Sequence, residues 1–327
     1  MGSASSVWHT SGLPLLLERR DLPDLLVRAA VEDLTAGTFD EVEAAALLMA
    51  LRAKGEAASE IAAAVHVLRG PMIRLRVEAR PVLDTCGTGG DGSGTFNIST
   101  ATALVVAGTG VTVVKHGNRS VSSRSGSADV LAALGVPVEL GPLWSQGCLD
   151  RCGFAFCFAP HFHPALAKVA GLRRKLGVRT IFNLVGPLLN PAGAEHQLLG
   201  VGRPDLLDPM AGAIARLGTR QAFLVCGGDG LDEVTLAAPT HVRRVRDGVI
   251  EALEWTPAEF GLEPVESGAL AADGPTASAA IVRQILGGAD GPARRVVLAN
   301  SAAALLAAER VGALQEGVAV AAAAIDS

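Results

Sequence analysis

The sequence predicts an α/β fold, in which a small all-helical N-terminal domain precedes a larger α/β domain with a mostly parallel central sheet flanked by helices. Apolar side chains recur at helical spacing through residues 15–70, and strand-like runs alternate with helical runs from residue 81 onward. Of the 327 residues, 49% are hydrophobic but only 4% are aromatic, and tyrosine does not occur. Alanine, leucine and valine must therefore fill the interior, which favours packed helices and buried parallel strands.

Charge, cysteine content and the N-terminal segment narrow the class of protein. The net charge of −5 argues against a protein that coats nucleic acid. No apolar run reaches membrane-spanning length, and the first residues lack the pattern of a signal peptide. The five cysteines are scattered through a large chain, which indicates reduced thiols. We therefore expect a cytoplasmic protein with neither nucleic acid nor a membrane as a partner.

Three helices are predicted between residues 15 and 70. Leu26, Ala30 and Leu34 recur at helical spacing and predict the first. Thr38 and Glu41 stand three residues apart and predict a capping box for the second. A third apolar run ends at a Gly-Pro pair, which typically stops a helix. This region is expected to be a helical bundle without chemistry of its own, whose surplus of apolar residues could also supply a dimer face.

The predicted domain boundaries follow from these patterns. The helical domain comprises residues 1–71, joined by part of the segment 141–175. A charged linker covers residues 72–80. The α/β domain comprises residues 80–140 and 176–327.

Strands, loops and helices alternate in the second part of the chain, as is typical of a parallel sheet. The predicted strands are residues 81–86 and 111–115, the runs GFAFCFAP, QAFLVCGG and HVRRVRDG, and finally VVLAN at 296–300. Helices are predicted after Ser99-Thr100, after Ser127, after Pro164, and near 276–287 and 301–324. The segment RTIFNLVGPLLNPAG is too rich in proline and glycine for a regular element.

A glycine-rich loop follows the first predicted strand. It contains Gly87, Gly89, Gly90, Gly92 and Gly94. Backbone without side chains next to a helix start presents N–H groups to an anion. The loop matches G-x-G-x-x-G, but no acidic residue occurs between Asp91 and Asp129 to hold a ribose, which disfavours a dinucleotide. An anion site is therefore favoured over a purely structural turn.

The loop after the second predicted strand is basic and rich in hydroxyl groups. It contains Lys115, His116, Asn118, Arg119, Ser122, Ser123, Arg124, Ser125 and Ser127. Cations that follow a buried strand are costly unless they have a partner, and phosphate would be one. The alternative is a solvated loop. Two such loops at neighbouring strand ends predict a ligand with more than one phosphate.

Acidic and basic clusters suggest two further contacts. Asp229, Asp232 and Glu233 lie in a turn after an apolar strand. Mg²⁺ prefers oxygen ligands and usually binds through one or two carboxylates plus substrate phosphates, although a solvated acidic turn is the alternative. Arg173, Arg174, Lys175 and Arg179 form a basic run, of which one arginine turned inward would bind a substrate carboxylate. Periodicity alone does not select which.

Five motifs in this order resemble the anthranilate phosphoribosyltransferase family of tryptophan biosynthesis, within the nucleoside phosphorylase type II-like superfamily. They are GTGGDGSGTFNIST, KHGNRSVSSRSGSADVLAALG, FAPHFHPA, RRKLGVRTIFNLVGPLLNPA and DGLDE. The resemblance implies transfer of 5-phosphoribose from phosphoribosyl pyrophosphate (PRPP) to the amino group of anthranilate, giving N-(5-phosphoribosyl)anthranilate and pyrophosphate. It also implies one or two Mg²⁺ ions per monomer and a homodimer formed through the helical domain.

The resemblance also implies roles for individual residues. The PRPP contacts would be Gly87, Gly90, Asp91, Thr95, Asn97, Ile98, Ser99, Thr100, Lys115, His116, Gly117, Asn118, Arg119, Ser120, Val121, Ser122, Ser123 and Ser127. The anthranilate contacts would be Gly87, Asn118 and Arg173, and the Mg²⁺ ligands Ser99, Asp232 and Glu233. No residue is assigned as a general acid or base, whereas Lys115, Asp232 and Glu233 would act electrostatically. Two alternatives share this fold, a nucleoside phosphorylase-like enzyme and a nucleic-acid-binding relative without catalysis.

Overall fold

The computed structural model of the protein describes residues 8–78, 81–119 and 125–327. Within these ranges the chain forms a seven-stranded sheet in the order β3-β2-β1-β4-β5-β6-β7. The strands are β1 (Val82–Gly87), β2 (Thr112–Gly117), β3 (Phe154–Phe158), β4 (His196–Gly200), β5 (Gln221–Gly227), β6 (Thr240–Arg246) and β7 (Val249–Trp255). The first five pair in parallel, and β6 and β7 add an antiparallel edge. The predicted mostly parallel sheet is confirmed.

Helices cover both faces of the sheet and build the N-terminal region. They are α1 (Leu13–Leu17), α2 (Asp24–Ala36), α3 (Glu41–Lys54), α4 (Ala58–Arg69), α5 (Ile98–Gly108), α6 (Ser127–Ala133), α7 (Pro142–Cys152), α8 (Ala159–Phe162), α9 (Ala167–Leu176), α10 (Ile181–Val185), α11 (Leu207–Arg216), α12 (Pro257–Phe260), α13 (Gly274–Leu286), α14 (Pro292–Ala307) and α15 (Leu314–Asp326). No helix in the described part of the chain is both long enough and apolar enough to cross a membrane.

The side chains of each strand pack alternately into two separate hydrophobic cores, because successive residues of a strand point to opposite faces of the sheet. Leu198 and Phe223 pack with α5, α13, α14 and α15 on one face. Their neighbours Leu199 and Leu224 pack with α10, α11 and the N-terminal helices on the other. Helix α9 also contacts α2 and α3. This packing supports a link between the segment 141–175 and the helical region, and the domain boundaries themselves stay a prediction.

One predicted strand was wrong, and two strands of the sheet were not predicted. VVLAN is not a strand but lies inside α14, where Val296, Val297 and Ala299 are fully buried. A short apolar run fits a buried helix and a buried strand equally well, so its periodicity could not distinguish them. Strand β4 was not predicted, because it starts with two polar residues, His196 and Gln197, which interrupt the apolar pattern of a buried strand although both are buried. The edge strand β7 was also missed, since five of its residues are exposed and carry no core pattern.

Several helix ends also differ from the predicted ones. Asp40 and Glu43, rather than Thr38 and Glu41, form the capping box of α3. The proline- and glycine-rich segment predicted to be irregular contains α10 and a short 3₁₀ helix, Gly186–Leu188. The helix predicted at 301–324 is two helices, α14 and α15.

The topology brings the predicted functional loops to one edge of the sheet. The loops after β1, β2 and β5 all leave the carboxyl ends of mutually parallel strands. The glycine loop is also tied down at its far end, where the Phe96 N–H donates to the Leu270 carbonyl at 2.9 Å. The Ala272 N–H donates to the Gly94 carbonyl at 3.0 Å. The loop therefore has a fixed place beside the sheet.

Candidate active site

A cavity of about 360 Å³ lies where the three loops meet. Of the predicted site residues, it is lined by Gly87, Gly90, Asp91, Thr95, Asn97, Ile98, Ser99, Lys115, His116, Gly117, Asn118, Arg119, Ser127, Arg173, Asp232 and Glu233. Thr100 does not line it, because its side chain is fully buried beneath the loop in α5. Ser120, Val121, Ser122 and Ser123 lie outside the described residues.

The N-terminus of α5 faces this cavity and is capped by Asn97. The Asn97 side chain accepts hydrogen bonds from the Thr100 N–H at 3.0 Å and from the Ser99 hydroxyl at 3.3 Å. The helix therefore starts earlier than predicted, because its cap is Asn97 and not Ser99 or Thr100. The positive end of a helix dipole favours an anion beside a helix start of this kind. The arrangement can therefore hold a phosphate next to the glycine loop.

Lys115 is the buried cation of the site, with only 1% of its surface exposed. Its ammonium donates to the Ser99 hydroxyl at 3.0 Å and to the Thr85 carbonyl. Burial lowers the pKa of Lys115, and the nearby Asp84 carboxylate opposes that shift. The end of β2 therefore places a positive charge beneath the loop, where little water competes for it.

Asp84 supports Lys115 from within the sheet. Its carboxylate is fully buried and accepts a hydrogen bond from the Asn190 amide at 2.8 Å. The His116 backbone N–H donates to the other oxygen at 3.3 Å. Burial nevertheless raises the pKa of Asp84 to about 6, although Lys115 favours its charged form. Neither the motif comparison nor the periodicity assigned this residue a role.

Asp232 and Glu233 form an acidic wall opposite Lys115. The Asp232 carboxylate accepts a hydrogen bond from the Gly89 N–H at 3.0 Å. A Cβ at Gly87 would lie 2.9 Å from the Asp232 Oδ2 atom, so a side chain there would displace this carboxylate. Burial raises the pKa of both carboxyl groups, and the Asp232 charge raises that of Glu233 further. A cation bound between these two carboxyl groups would offset the cost of ionising them.

The donor set at this wall fits Mg²⁺. No cluster of three or more His, Cys, Asp or Glu side chains suited to a metal occurs among the described residues. Mg²⁺ does not need one, because it usually binds one or two carboxylates and completes its shell with substrate phosphates and water. Asp229 is not part of this wall, since its carboxylate accepts from Thr235 at 2.8 Å and Ser267 at 3.2 Å.

Two arginines of the basic run, rather than one, turn toward the cavity. Arg173 packs over the Phe182 ring, with its guanidinium carbon 5.5 Å from the ring centroid. Burial lowers its pKa, and the nearby positive charge of Arg179 lowers it further. Arg174 and Lys175 are exposed. Arg179 lies beyond the end of α9, so helical periodicity gave no basis for placing it.

Part of the cavity wall was missed by sequence reasoning. Phe182, Asn183, Pro187 and Leu189 line it, and all come from the segment predicted to be irregular. The proline and glycine content of that segment was the available signal, because a chain that is bent repeatedly can wrap around a ligand. This side of the cavity is largely apolar and would suit an aromatic ring.

His163 lies in the motif FAPHFHPA but was given no role in the site. Its side chain pairs with that of His116. Their Nε2 atoms are 3.1 Å apart and the ring centroids 4.8 Å apart. Burial lowers the pKa of His116 to about 3 and that of His163 to about 4. Both rings are therefore neutral at pH 7, and one donates a hydrogen bond to the other.

This pair makes the stability of the protein depend on pH. Both folded pKa values lie below that of a histidine in the unfolded chain, about 6.5. The unfolded state thus takes up protons first as the pH falls, and stability present above that pH is lost on acidification. When the pH falls from 7 to 5, each of the two histidines should lower the free energy of unfolding by about 2 kcal/mol. In His163→Phe we expect the loss of unfolding free energy to be about 2 kcal/mol smaller than in the wild type.

Urea unfolding at pH 7 and pH 5 measures this difference. His66 is exposed in α4, so His66→Gln provides a matched control with the wild-type pH dependence. An equal pH dependence in His163→Phe and the wild type would show that the pair is not held neutral by the fold.

Two sequence models of the glycosyl transferase family match this chain. The helical bundle domain matches residues 15–70, and the a/b domain matches residues 79–327. The anthranilate phosphoribosyltransferase of Thermomicrobium roseum is 51% identical over 302 residues, covering 91% of this chain and 87% of the relative. The chain belongs to the anthranilate phosphoribosyltransferase family.

Solved structures of this family have the same fold. The anthranilate phosphoribosyltransferase of Thermus thermophilus superposes with a TM-score of 0.89 at 43% identity, over 97% of this chain and 94% of the other. The enzyme of Saccharomyces cerevisiae, in complex with PRPP and Mg, superposes with a TM-score of 0.89 at 28% identity, over 99% and 95% of the two chains. The family predicted from the five motifs is confirmed, and neither alternative function is favoured.

Proposed function

We propose that this protein is an enzyme that transfers 5-phosphoribose from PRPP to the amino group of anthranilate, in the synthesis of tryptophan. Pyrophosphate is the second product. The observation that carries the proposal is the single cavity in which the glycine loop, Lys115 and the acidic wall of Asp232 and Glu233 meet. Membership of the anthranilate phosphoribosyltransferase family supports the same reaction.

The leaving group requires most of the stabilisation. Breaking the bond between C1 of the ribose and the pyrophosphate oxygen develops positive charge on the sugar and negative charge on the pyrophosphate. Lys115, which is fixed by Thr85 and Ser99, and the positive end of the α5 dipole can stabilise that negative charge. Preorganised donors of this kind contribute on the order of 3–4 kcal/mol each. Mg²⁺ bound by Ser99, Asp232 and Glu233, as one or two ions, would supply further positive charge.

The nucleophile requires positioning rather than a strong base. An aromatic amine is already neutral near pH 7, so its nitrogen can attack without prior deprotonation. Arg173, Pro187 and Leu189 line the cavity. Arg173 would bind the carboxylate of anthranilate, and the apolar wall of Pro187 and Leu189 would receive its ring. Holding the amine next to C1 replaces an encounter in solution by a reaction within the complex.

A homodimer formed through the helical domain is part of this proposal. Leu17, Leu25 and Val42 on the N-terminal helices are 73%, 79% and 78% exposed. Large apolar side chains in one region often mark a protein interface. Sedimentation equilibrium at two concentrations would measure the mass, and a monomer at both would contradict a stable dimer.

Anthranilate fluorescence gives a direct test of the reaction. Purified protein is mixed with anthranilate and Mg²⁺, and PRPP is then added. Loss of the anthranilate signal, together with release of pyrophosphate, is the expected result. If the signal persists with all three components present, the proposed activity is wrong.

Arg173→Ala should weaken the binding of anthranilate and leave the binding of PRPP nearly unchanged. We expect the KM for anthranilate to rise at least ~10-fold, because a charged contact to the carboxylate is worth roughly 1.5–3 kcal/mol. The dissociation constant of PRPP should stay within a factor of about two, as the loops that would hold the diphosphate are unchanged. Arg174→Ala, at an exposed neighbour in the same helix, is the control. A change confined to PRPP binding would contradict the assignment of Arg173.

A further inference from the structure

Arg179 lies directly on the glycine loop. Its side chain extends from the segment between α9 and α10, and its Nη2 atom donates to the Thr88 carbonyl at 2.5 Å. The residue also lines the cavity. The sequence pattern gave it only as one of several candidates for a substrate carboxylate, and the family motifs assign it no role. A contact between residues 91 positions apart in the chain fixes this loop to a different part of the fold.

Gly90 is shaped to accept this guanidinium. A Cβ atom at Gly90 would lie only 1.9 Å from the Nη1 atom of Arg179, and 2.7 Å from its guanidinium carbon. The backbone of Gly90 also has a φ of +81°, which disfavours other residues. Gly89 and Gly92 have positive φ as well, but a Cβ there would meet nothing. Gly90 alone among these three is thus required by a neighbouring side chain.

The charges around Arg179 hold its guanidinium against the loop. Asp232 and Asp91, which line the cavity, attract it, whereas Arg52 and Arg203 repel it. Arg52 and Arg203 border a second cavity of only about 10 Å³, which Arg179 also lines. Burial lowers the pKa of Arg179. An arginine remains charged in proteins despite such a shift, so the guanidinium is a permanent cation at this place.

We propose that Arg179 is a positioning residue for PRPP: it holds the glycine loop in the shape that receives the diphosphate. The guanidinium satisfies the Thr88 carbonyl, whose partial negative charge would otherwise repel an anion beside it. The next residue of the loop, Gly89, is held separately, because its backbone N–H donates a hydrogen bond to the Asp232 carboxylate. Arg173 binds the anthranilate carboxylate in this scheme, so the two inward arginines serve different substrates. This inference rests on the proposed function.

Calorimetric titration with PRPP and Mg²⁺, in the absence of anthranilate, tests the assignment. We expect Arg179→Ala to weaken PRPP binding at least ~10-fold, since it removes a charge-assisted hydrogen bond. The KM for anthranilate should change less than about threefold. Arg179→Lys, which can still donate to the Thr88 carbonyl, should recover part of the affinity. Arg174→Ala is the control for the loss of one nearby positive charge.

A double-mutant cycle with Gly90→Ala gives the sharper test. In the wild type the new methyl group meets the guanidinium, so we expect Gly90→Ala to weaken PRPP binding at least ~10-fold. In the Arg179→Ala background that clash does not exist, and the further loss should be at most about threefold. The strain from positive φ is common to both backgrounds and cancels in the comparison. Melting temperatures of all four proteins show whether each is folded.

Two results would overturn the assignment. One is additive effects of the two substitutions on PRPP binding, which would mean that Arg179 and Gly90 act independently. The other is an Arg179→Ala protein that binds PRPP normally and has a raised KM for anthranilate. Should Gly90→Ala fail to fold, the PRPP affinities of Arg179→Ala and Arg179→Lys still decide. A wild-type protein that does not consume anthranilate would instead refute the proposed function.

Discussion

Replacement of Asp232 and Glu233 by their amides, Asp232→Asn with Glu233→Gln, should lower turnover at least ~10³-fold without destabilising the protein. The loss of activity is expected because two neutral amides no longer attract the cation that offsets the charge on pyrophosphate. The stability should be equal to or higher than that of the wild type. Burial raises the pKa of both carboxyl groups, so the fold itself opposes their ionisation.

The direction of the pH effect follows from that shift. A carboxyl group with a raised folded pKa stabilises the fold while it is protonated, and this stability is lost as the pH rises through the folded pKa. The amides do not titrate. In metal-free buffer the stability advantage of the double variant over the wild type should therefore increase from pH 5 to pH 8, as measured by urea unfolding.

Asp229→Asn is the matched control from the same turn. Its carboxylate accepts hydrogen bonds from Thr235 and Ser267 and does not line the cavity. We expect this variant to keep Mg²⁺-dependent turnover while losing about 1–2 kcal/mol of stability. Wild-type turnover in the double amide, or loss of turnover in Asp229→Asn alone, would contradict the proposed metal site.

The sequence alone predicted the parts of the site whose chemistry is local. A run of glycines before a helix, a lysine after an apolar strand and a carboxylate pair in a turn each have few uses, and parallel topology brings their loops together. Lys115, Ser99 and Glu233 line one cavity in the structure. These residues could be predicted because the chemistry that each one suggests depends only on residues close to it in the chain.

Other residues depend on contacts that the sequence does not contain. Asp229 and Asp232 are equivalent acidic residues of one turn, and only the fold shows that one bonds to Thr235 while the other faces the cavity. Arg179 lies beyond the end of α9 and contacts the glycine loop through the Thr88 carbonyl, so helical periodicity could not place it. His163 meets His116 across 47 positions of the chain. In each case the deciding partner is distant in sequence and close in space.

Lys115→Met should reduce both stability and turnover, and a second substitution should separate the two. The ammonium of Lys115 is the counter-charge of Asp84, which is fully buried in the same sheet. Removing one partner of such a buried pair costs roughly 3–5 kcal/mol, because the other charge stays without compensation. Turnover should fall ~10²–10³-fold, since a preorganised donor to the leaving group is lost.

Adding Asp84→Asn to Lys115→Met removes the uncompensated charge. The amide oxygen at position 84 can still accept the hydrogen bond that Asn190 donates to the carboxylate. We expect the double variant to regain most of the stability lost in Lys115→Met, measured by urea unfolding at pH 8, but to keep its low turnover. Without Asp84→Asn, the defect of Lys115→Met should be smaller at pH 5 than at pH 8, because protonation of Asp84 also removes the charge. If turnover instead recovers together with stability, Lys115 acts only by supporting the fold, and the negative charge on pyrophosphate must be stabilised by other groups.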